Sequence, residues 1–470
     1  MPVGNFYLQA IEEEESGDRF KLSDLTKSLR FYESSYQSYL ESIKLEVTID
    51  NTYNLYRLIY DVYSGFTGNS FSLRELNLTN FDVLKYNLPQ IKKLYDLKLP
   101  YFKTVERVEF GKIYDFQYNL VLINLELIEN FDSDEIKLLE KGYDGLIREI
   151  IEEINEILEY QLEELQKLLD HIALEENENE DGNGDNSKPP AGFEEGQEEE
   201  EFDMIEQVTP DVILDTLIQA YKMINAVLEN TANLRELTTT RDSLEPFKNK
   251  LDEITKKITD LPYERNEESI NEIKLLNHSI ISLFYDNEEA FIIHWKNIYV
   301  DDSIALKSSF VDSLSNFKKF NNIDNISVLN QVSQTFKEIE ILLKDKIQNN
   351  PQVLELSDYL IRLIEIFTNR SDIELTKFNY TKNEVNLTNS LNILKTALNY
   401  LNNVNCGLRE TLINKLIKKR LKRQLVLRIL ILQENGINES KIKETIGEQF
   451  YQEDLEILGS VDIYSEIFGI

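Results

Sequence analysis

The side chains best suited to catalysis or metal binding are few and poorly spaced. Histidine occurs only at His171, His278 and His294, and the single cysteine is Cys406. No histidine falls in an HExxH arrangement or beside a cysteine pair, so a metal site would need carboxylates gathered from distant segments. The expectation is no metal and no cofactor, with the histidines serving as ordinary surface or core residues. Cys406 has no histidine neighbour, and Asn405 to Gly407 reads as a turn between helices. A thiolate nucleophile there has no base to activate it. No GxxxxGK[ST] or GxGxxG loop occurs. The run Gly182, Asn183, Gly184 lies in an acidic stretch with no strand before it, so phosphate cradling by backbone amides has no support. Carboxylates are so numerous that any pair chosen for acid–base work is arbitrary. The chain reads as a non-enzyme.

What the carboxylates can do is attract. Between Glu175 and Glu206 there are fourteen Asp or Glu residues and one cation, Lys188, among Gly, Asn, Pro and Gln. Such a segment cannot bury enough apolar surface to offset the entropy of ordering it, so it is expected to be a disordered acidic loop. Its candidate client-binding residues are Glu175, Glu176, Glu178, Glu180, Asp181, Glu194, Glu195, Glu198, Glu199, Glu200, Glu201 and Asp203. One reading makes it a solvated tether between two helical halves; the other makes it a screen for a Lys/Arg-rich client. With a Debye length of about 8 Å at physiological salt, a polyanion acts mainly near contact. It raises encounter rates more than final affinity. Glu12 to Glu15 add a smaller patch of the same sign.

The bulk numbers agree with a basic protein partner. Net charge is −35 over 470 residues, and it remains −22 without the acidic segment. That surface repels phosphate backbones, so no direct nucleic-acid binding is expected. An apolar content of 41% suffices for a core. One cysteine fits a reducing compartment. The N-terminus lacks a basic region before its apolar residues, and the longest apolar run, Leu425 to Leu432, is broken by Arg428. No membrane span is expected, and the chain reads as a cytoplasmic or nuclear monomer. The opposite pole is a Leu/Ile-rich helix carrying Lys415, Lys418, Lys419, Arg420, Lys422 and Arg423. Lys418, Lys419, Arg420, Lys422 and Arg423 are a candidate nuclear import signal; alternatively they are a basic face packed near acids.

These charges must be carried by helices. Glycine and proline are scarce, hairpin signals are nearly absent, and apolar spacings of three and four recur. Ile147, Ile151, Ile154, Leu158, Leu162, Leu165, Leu169 and Ile172 form one stripe leading into the acidic segment, with Ser133 as a candidate cap. Thr209, Pro210 and Asp211 open another helix. Phe247, Leu251, Ile254, Ile258 and Leu261 follow a heptad that Pro262 stops, and further stripes run through 270–284, 328–347, 353–367 and 387–401. The tail 442–470 reads as one or two capping helices.

The N-terminal part repeats itself. Asp50, Tyr53, Asn54, Leu55 and Phe66 recur 65 residues later as Asp115, Tyr118, Asn119, Leu120 and Phe131. Upstream, Ser35, Tyr39 and Ser42 place small, aromatic and small residues on one helical face. This arrangement resembles the tetratricopeptide repeat over about 24–131, with Ser35, Tyr39 and Ser42 as the second-helix set and Tyr53, Asn54, Leu55 opening the next unit. The family's helix-ending proline is Val47 or Thr48 here, its small residue after the leucine is Tyr56, and the second copy has Val121 there. The resemblance implies stacked helix pairs, a concave peptide-binding surface and an adaptor or chaperone role.

The resulting expectation is an all-α, degenerate helical-repeat (TPR-like) solenoid with one disordered acidic insertion. Its parts are a flexible acidic N-terminus (1–20), a helical array (21–172), the acidic loop (173–208), a second array (209–405) and C-terminal helices (406–470). The expected function is holding a basic client, a ribosomal protein or a histone, in a groove for which Tyr53, Tyr60, Tyr118 and Trp295 are candidate aromatics. The alternative is a structural subunit of a tethering or transcription-type assembly, which the 247–261 heptad favours.

Overall fold

The structure is a computed structural model of the chain. It describes residues 3–67, 110–130, 142–181, 208–261, 266–298, 303–321, 325–349, 355–404 and 410–469, together with residues 76, 92, 93, 99, 102, 103 and 406. Among the described residues there are seventeen α-helices and no strand, so the fold is all-α. Two compact units divide the chain: residues 1–91 with 278–470, and residues 92–277.

The chain begins with α1 (Val3–Lys21), α2 (Leu25–Leu45) and α3 (Ile49–Val62), followed by one π-helical turn, Tyr63–Thr67. Residues 1–20 were expected to be flexible; from Val3 onward they are α1 instead, packed along α2. The reason lies in the small-aromatic-small face of α2. Ser35, Tyr39 and Ser42 are fully buried, Ser35 Oγ donates to the Ala10 carbonyl at 2.8 Å, and Tyr39 OH donates to Glu14 at 2.8 Å. Gly17 completes the close approach, since a Cβ there would stand 2.4 Å from the Tyr32 ring. The Glu12–Glu15 run is therefore not a purely solvated patch. Glu14 is buried and pairs with Arg57 of α3 at 2.5 Å, while Glu13 accepts from Ser34 and Ser38. Burial nonetheless holds the Glu14 carboxyl above its ordinary range, against the lowering influence of Arg57 and Tyr39. Thr48, one of the two residues at the family's proline position, caps α3 in a capping box with Asn51.

The second unit contains α4 (Phe110–Asn130), α5 (Gly142–Asp181), α6 (Pro210–Glu229), α7 (Leu234–Thr259) and most of α8 (Glu267–Ser282). Helix α6 is apolar nearly all round and packs on α4, α5 and α7. It starts at the expected Thr209-Pro210 signal. The heptad residues Phe247, Leu251, Ile254 and Ile258 are all buried inside this unit. Helix α7 runs through Pro246, where the missing N–H and ring clash ordinarily end a helix, back to an Asn233 cap.

Helix α5 changes the acidic segment's boundary. The loop was expected from residue 173, yet helical backbone continues to Asp181. Residues 182–207 lie outside the described residues, as do the candidate cap Ser133, Phe131 of the repeat and Pro262.

The C-terminal part comprises α9 (Glu288–Ile298), α10 (Ile304–Phe320), α11 (Asn325–Asn349), α12 (Leu356–Thr381), α13 (Glu384–Asn403) and α14 (Leu412–Glu434). Three short helices follow, α15 (Glu439–Ile446), α16 (Glu448–Gly459) and α17 (Asp462–Phe468), where the sequence pattern pointed to one or two. Each helix from α10 to α14 packs on the next. Leu343, Leu360, Leu363, Leu394, Leu425 and Ile431 share one buried cluster with Tyr464 of α17. Each large aliphatic side chain so buried contributes roughly 2 kcal/mol. Among the described residues no helix is long and apolar enough to cross a membrane.

Candidate functional site: an acidic, aromatic helix face

The sequence of α5 separates two faces. Leu146, Ile150, Ile154, Ile157, Leu158 and Leu165 are buried in the second unit. Glu152, Glu156, Glu159, Glu163 and Asp170 are exposed, at steps of four, three, four and seven residues. Steps of that size keep side chains on one face of a 3.6-residue helix. A helix of 40 residues spans about 60 Å at 1.5 Å per residue, so this acidic stripe is long.

A pair of tyrosines sits within it. Tyr114 of α4 and Tyr160 of α5 stack with ring centroids 4.0 Å apart and planes 10° from parallel. Both are half-buried. Burial first, then Glu156 and Glu163, hold the Tyr114 hydroxyl above its ordinary range; burial, Glu164 and Asp115 do the same for Tyr160. The carboxylates are partly restrained by their own neighbours. Lys103 Nζ lies 2.7 Å from Glu156 and 3.6 Å from Glu153, and Lys250 reaches Asn155 at 2.7 Å and Glu159 at 3.0 Å. Burial opposes ionisation of Glu156, but hydrogen bonds from Lys103 and Gln117 outweigh it and hold that carboxyl below its usual range. Two stacked rings ringed by carboxylates present what an arginine or lysine side chain needs: a π-face and nearby negative charge. Sequence reading missed this pair because its members are 46 residues apart; the only signal was Tyr160 falling between Glu159 and Glu163 on the acidic stripe.

The helical backbone of α5 continues into the acidic segment. Glu175, Glu176, Glu178, Glu180 and Asp181 lie on the last turns of α5, which carry no basic residue. Negative charge at a helix C-terminus opposes the macrodipole and the neighbouring carboxylates repel, so this end of α5 forms against electrostatic cost. Glu194, Glu195, Glu198, Glu199, Glu200, Glu201 and Asp203 lie outside the described residues.

The expected groove aromatics do not converge. Tyr53 and Tyr60 are half-buried on α3, where Tyr60 stacks on Tyr63 with centroids 6.4 Å apart. Tyr118 is half-buried on α4, its hydroxyl pushed up to about 12 by burial and then Asp215. Trp295 is only 2% exposed, packed against Phe291 and Phe310 on α9 and α10.

The candidate import signal lies wholly within α14. Lys418 pairs with Glu410 at 2.8 Å and stands 3.5 Å from the Cys406 sulfur; burial raises that thiol's pKa. Arg423 pairs with the fully buried Asp454 at 2.8 Å and lies 4.0 Å over the Phe450 ring. Arg420 is half-buried, whereas Lys419 and Lys422 are exposed and share a face with Lys415. Asn405 and Gly407 lie outside the described residues.

Two histidines that looked unrelated in sequence meet. The His278 and His294 rings lie 5.1 Å apart, and Tyr285 OH is 3.0 Å from His294 Nδ1. Burial holds both below the ordinary histidine range, so both are neutral near pH 7. His171 is exposed on α5. Among the described residues no cluster of three or more His, Cys, Asp or Glu has metal-binding geometry.

Comparison with known proteins gives a family and a relative. Residues 308–455 match a family described as the YNL193W C-terminal domain. A Saccharomyces cerevisiae protein described as "Uncharacterized protein YNL193W" is 24% identical over 512 aligned positions, covering 91% of this chain and 89% of the relative. No solved structure matches the chain.

Proposed function

We propose that this is a non-catalytic binding protein of degenerate tetratricopeptide-like helical repeats: a chaperone or adaptor that engages a basic client, a ribosomal protein before assembly or a histone before deposition, in the cytoplasm or nucleus. The observation that carries this reading is the exposed acidic stripe of α5 from Glu152 to Asp170, with its Tyr114–Tyr160 stack, on a helix whose backbone leads into the acidic segment. Carboxylates steer the client, the tyrosine faces receive its Arg or Lys side chains, and the acidic segment screens the remaining positive charge. The buried small-aromatic-small face of α2 supports the repeat architecture. A heptad seam was the ground for the structural-subunit alternative; Phe247, Leu251, Ile254 and Ile258 of that seam are buried inside their own unit, which favours the client-binding reading.

Affinity purification of the full chain at low and high salt tests the proposal. The expected result is recovery of one basic protein, lost at high salt and lost when 182–207 is deleted together with Glu152→Gln, Glu159→Gln and Glu163→Gln. Recovery of a salt-stable multisubunit assembly, unaffected by those changes, overturns it.

A further inference from the structure

Helix α14 divides its cations between inside and outside. Arg423 and Arg428 are held against Asp454 and Asp372 at 2.8 and 3.4 Å, and Lys418 against Glu410 at 2.8 Å. What faces water is a ridge of one residue type. From Leu412 to Leu432 the exposed residues of the helix are Lys415, Lys419 and Lys422 and no others. Steps of four and three put them on one helical face. At 1.5 Å per residue the ridge is about 10.5 Å long.

The ridge is uncompensated in a chain with acids to spare. There are 85 Asp or Glu residues against 50 Lys or Arg, yet among the described residues none of the three ridge lysines makes an ion pair. The acids closest in sequence are already taken, Glu410 by Lys418 and Glu434 by Lys441 at 2.5 Å. Asp454 of α16 is occupied by Arg423. The choice of cation also differs. The inward pairs that reach across the chain use arginine, whose rigid planar fork suits a fixed carboxylate. The ridge is all lysine, a compact charge on a flexible stem that follows a carboxylate without demanding one geometry.

We propose that the ridge of Lys415, Lys419 and Lys422 is a docking surface for an acidic segment of a partner protein, a flexible run of Asp or Glu. Charge complementarity selects that occupant, and size selects it over other polyanions. A duplex or an anionic membrane presents phosphate over an area far larger than the ridge, and so also meets the net charge of −35. A peptide brings its charge within about 8 Å of the lysines, where they outweigh more distant, screened carboxylates. The ridge falls inside 308–455 and is opposite in sign to the exposed stripe of α5, so the two surfaces serve partners of opposite charge.

The test is fluorescence anisotropy of the full chain with a blocked, labelled Glu/Ser dodecapeptide and its Gln/Ser counterpart. Near physiological salt the Glu peptide is expected to bind roughly tenfold more tightly than the Gln peptide, an advantage lost at about 1 M salt. Lys415→Gln with Lys419→Gln and Lys422→Gln, all at exposed positions, should erase that preference while leaving the melting temperature unchanged. Equal binding of the two peptides, no binding by either, or a preference that survives in the lysine variant overturns the proposal. So does tighter binding of a DNA duplex or of phosphatidylserine vesicles than of the Glu peptide. The preference should persist in the variant carrying Glu152→Gln, Glu159→Gln and Glu163→Gln, so this surface and the one assigned to the basic client fail independently.

Discussion

Helices α5 and α14 carry charge runs of opposite sign, and they use them in opposite directions. The carboxylates of α5 line its solvent side, at Glu152, Glu156, Glu159, Glu163 and Asp170. Several cations of α14 turn inward to acids: Lys418 to Glu410 just before the helix, and, from farther along the chain, Arg423 to Asp454 and Arg428 to Asp372 at 3.4 Å. Asp372 also accepts from Tyr464 OH at 3.0 Å, so one half-buried carboxylate ties α12, α14 and the terminal α17 together. Burial holds Asp372 above the usual carboxylate range despite the Arg428 charge. The lesson is that a run of like charge in sequence does not reveal its role. Facing water, it stays open to solvent and partners; facing a core, it fixes which helices pair.

The contrast predicts unequal responses to mutation. The largest effect belongs to α14's partners. Asp372→Ala leaves Arg428 buried without its carboxylate and is expected to cost about 3–5 kcal/mol in denaturant unfolding. Replacing both partners with Asp372→Leu and Arg428→Met should restore most of that loss. If the single variant unfolds like the parent, the buried bridge is not what holds the C-terminal helices. A smaller loss is expected in the N-terminal hairpin. Arg57→Ala strips Glu14 of its cation, and because Arg57 is partly solvated the cost should be about 2 kcal/mol.

How much of this was legible differs between the two helices. The apolar stripe of α5 and its lead into the acidic segment followed from spacing, because a helix period is local; the acidic face opposite that stripe emerged only with the structure. The partners of α14 lie at Asp372 and Asp454, 56 and 31 residues away from Arg428 and Arg423, where no local pattern points to them. The same limit explains α1. Its glutamates looked solvated until Tyr39 and Arg57, 25 and 43 residues from Glu14, gave one of them a buried role. The 247–261 heptad gave no sign of the helix before Pro246, where the segment from Leu234 stays helical behind its Asn233 cap despite the lost hydrogen bond.

A pH series separates another pair of regions. His278 and His294 are held low by burial, so between their folded values and the unfolded value near about 6.5 the unfolded chain binds more protons. Stability should therefore rise with pH through that window, with no contribution from these two histidines to the slope on either side of it. The sole tryptophan, Trp295, has its ring 6.1 Å from His294 and reports on the site by fluorescence. His278→Gln should flatten the slope; a slope unchanged in that variant assigns the pH dependence to carboxylates elsewhere.

The smallest stability effect is expected on α5 itself. Glu152→Gln, Glu159→Gln and Glu163→Gln at exposed positions should change unfolding by less than about 0.5 kcal/mol each. Lys419→Ala and Lys422→Ala on the open face of α14 should behave the same way.

The recruitment role assigned to α5 is tested most directly by stopped-flow association with a recombinant core histone, run across ionic strength with the parent and the α5 triple Gln variant. The expected outcome is a parent association rate that falls steeply with salt and a variant whose rate is lower and flatter, the two converging near 1 M where the Debye length is about 3 Å. Identical salt profiles for the two proteins contradict it.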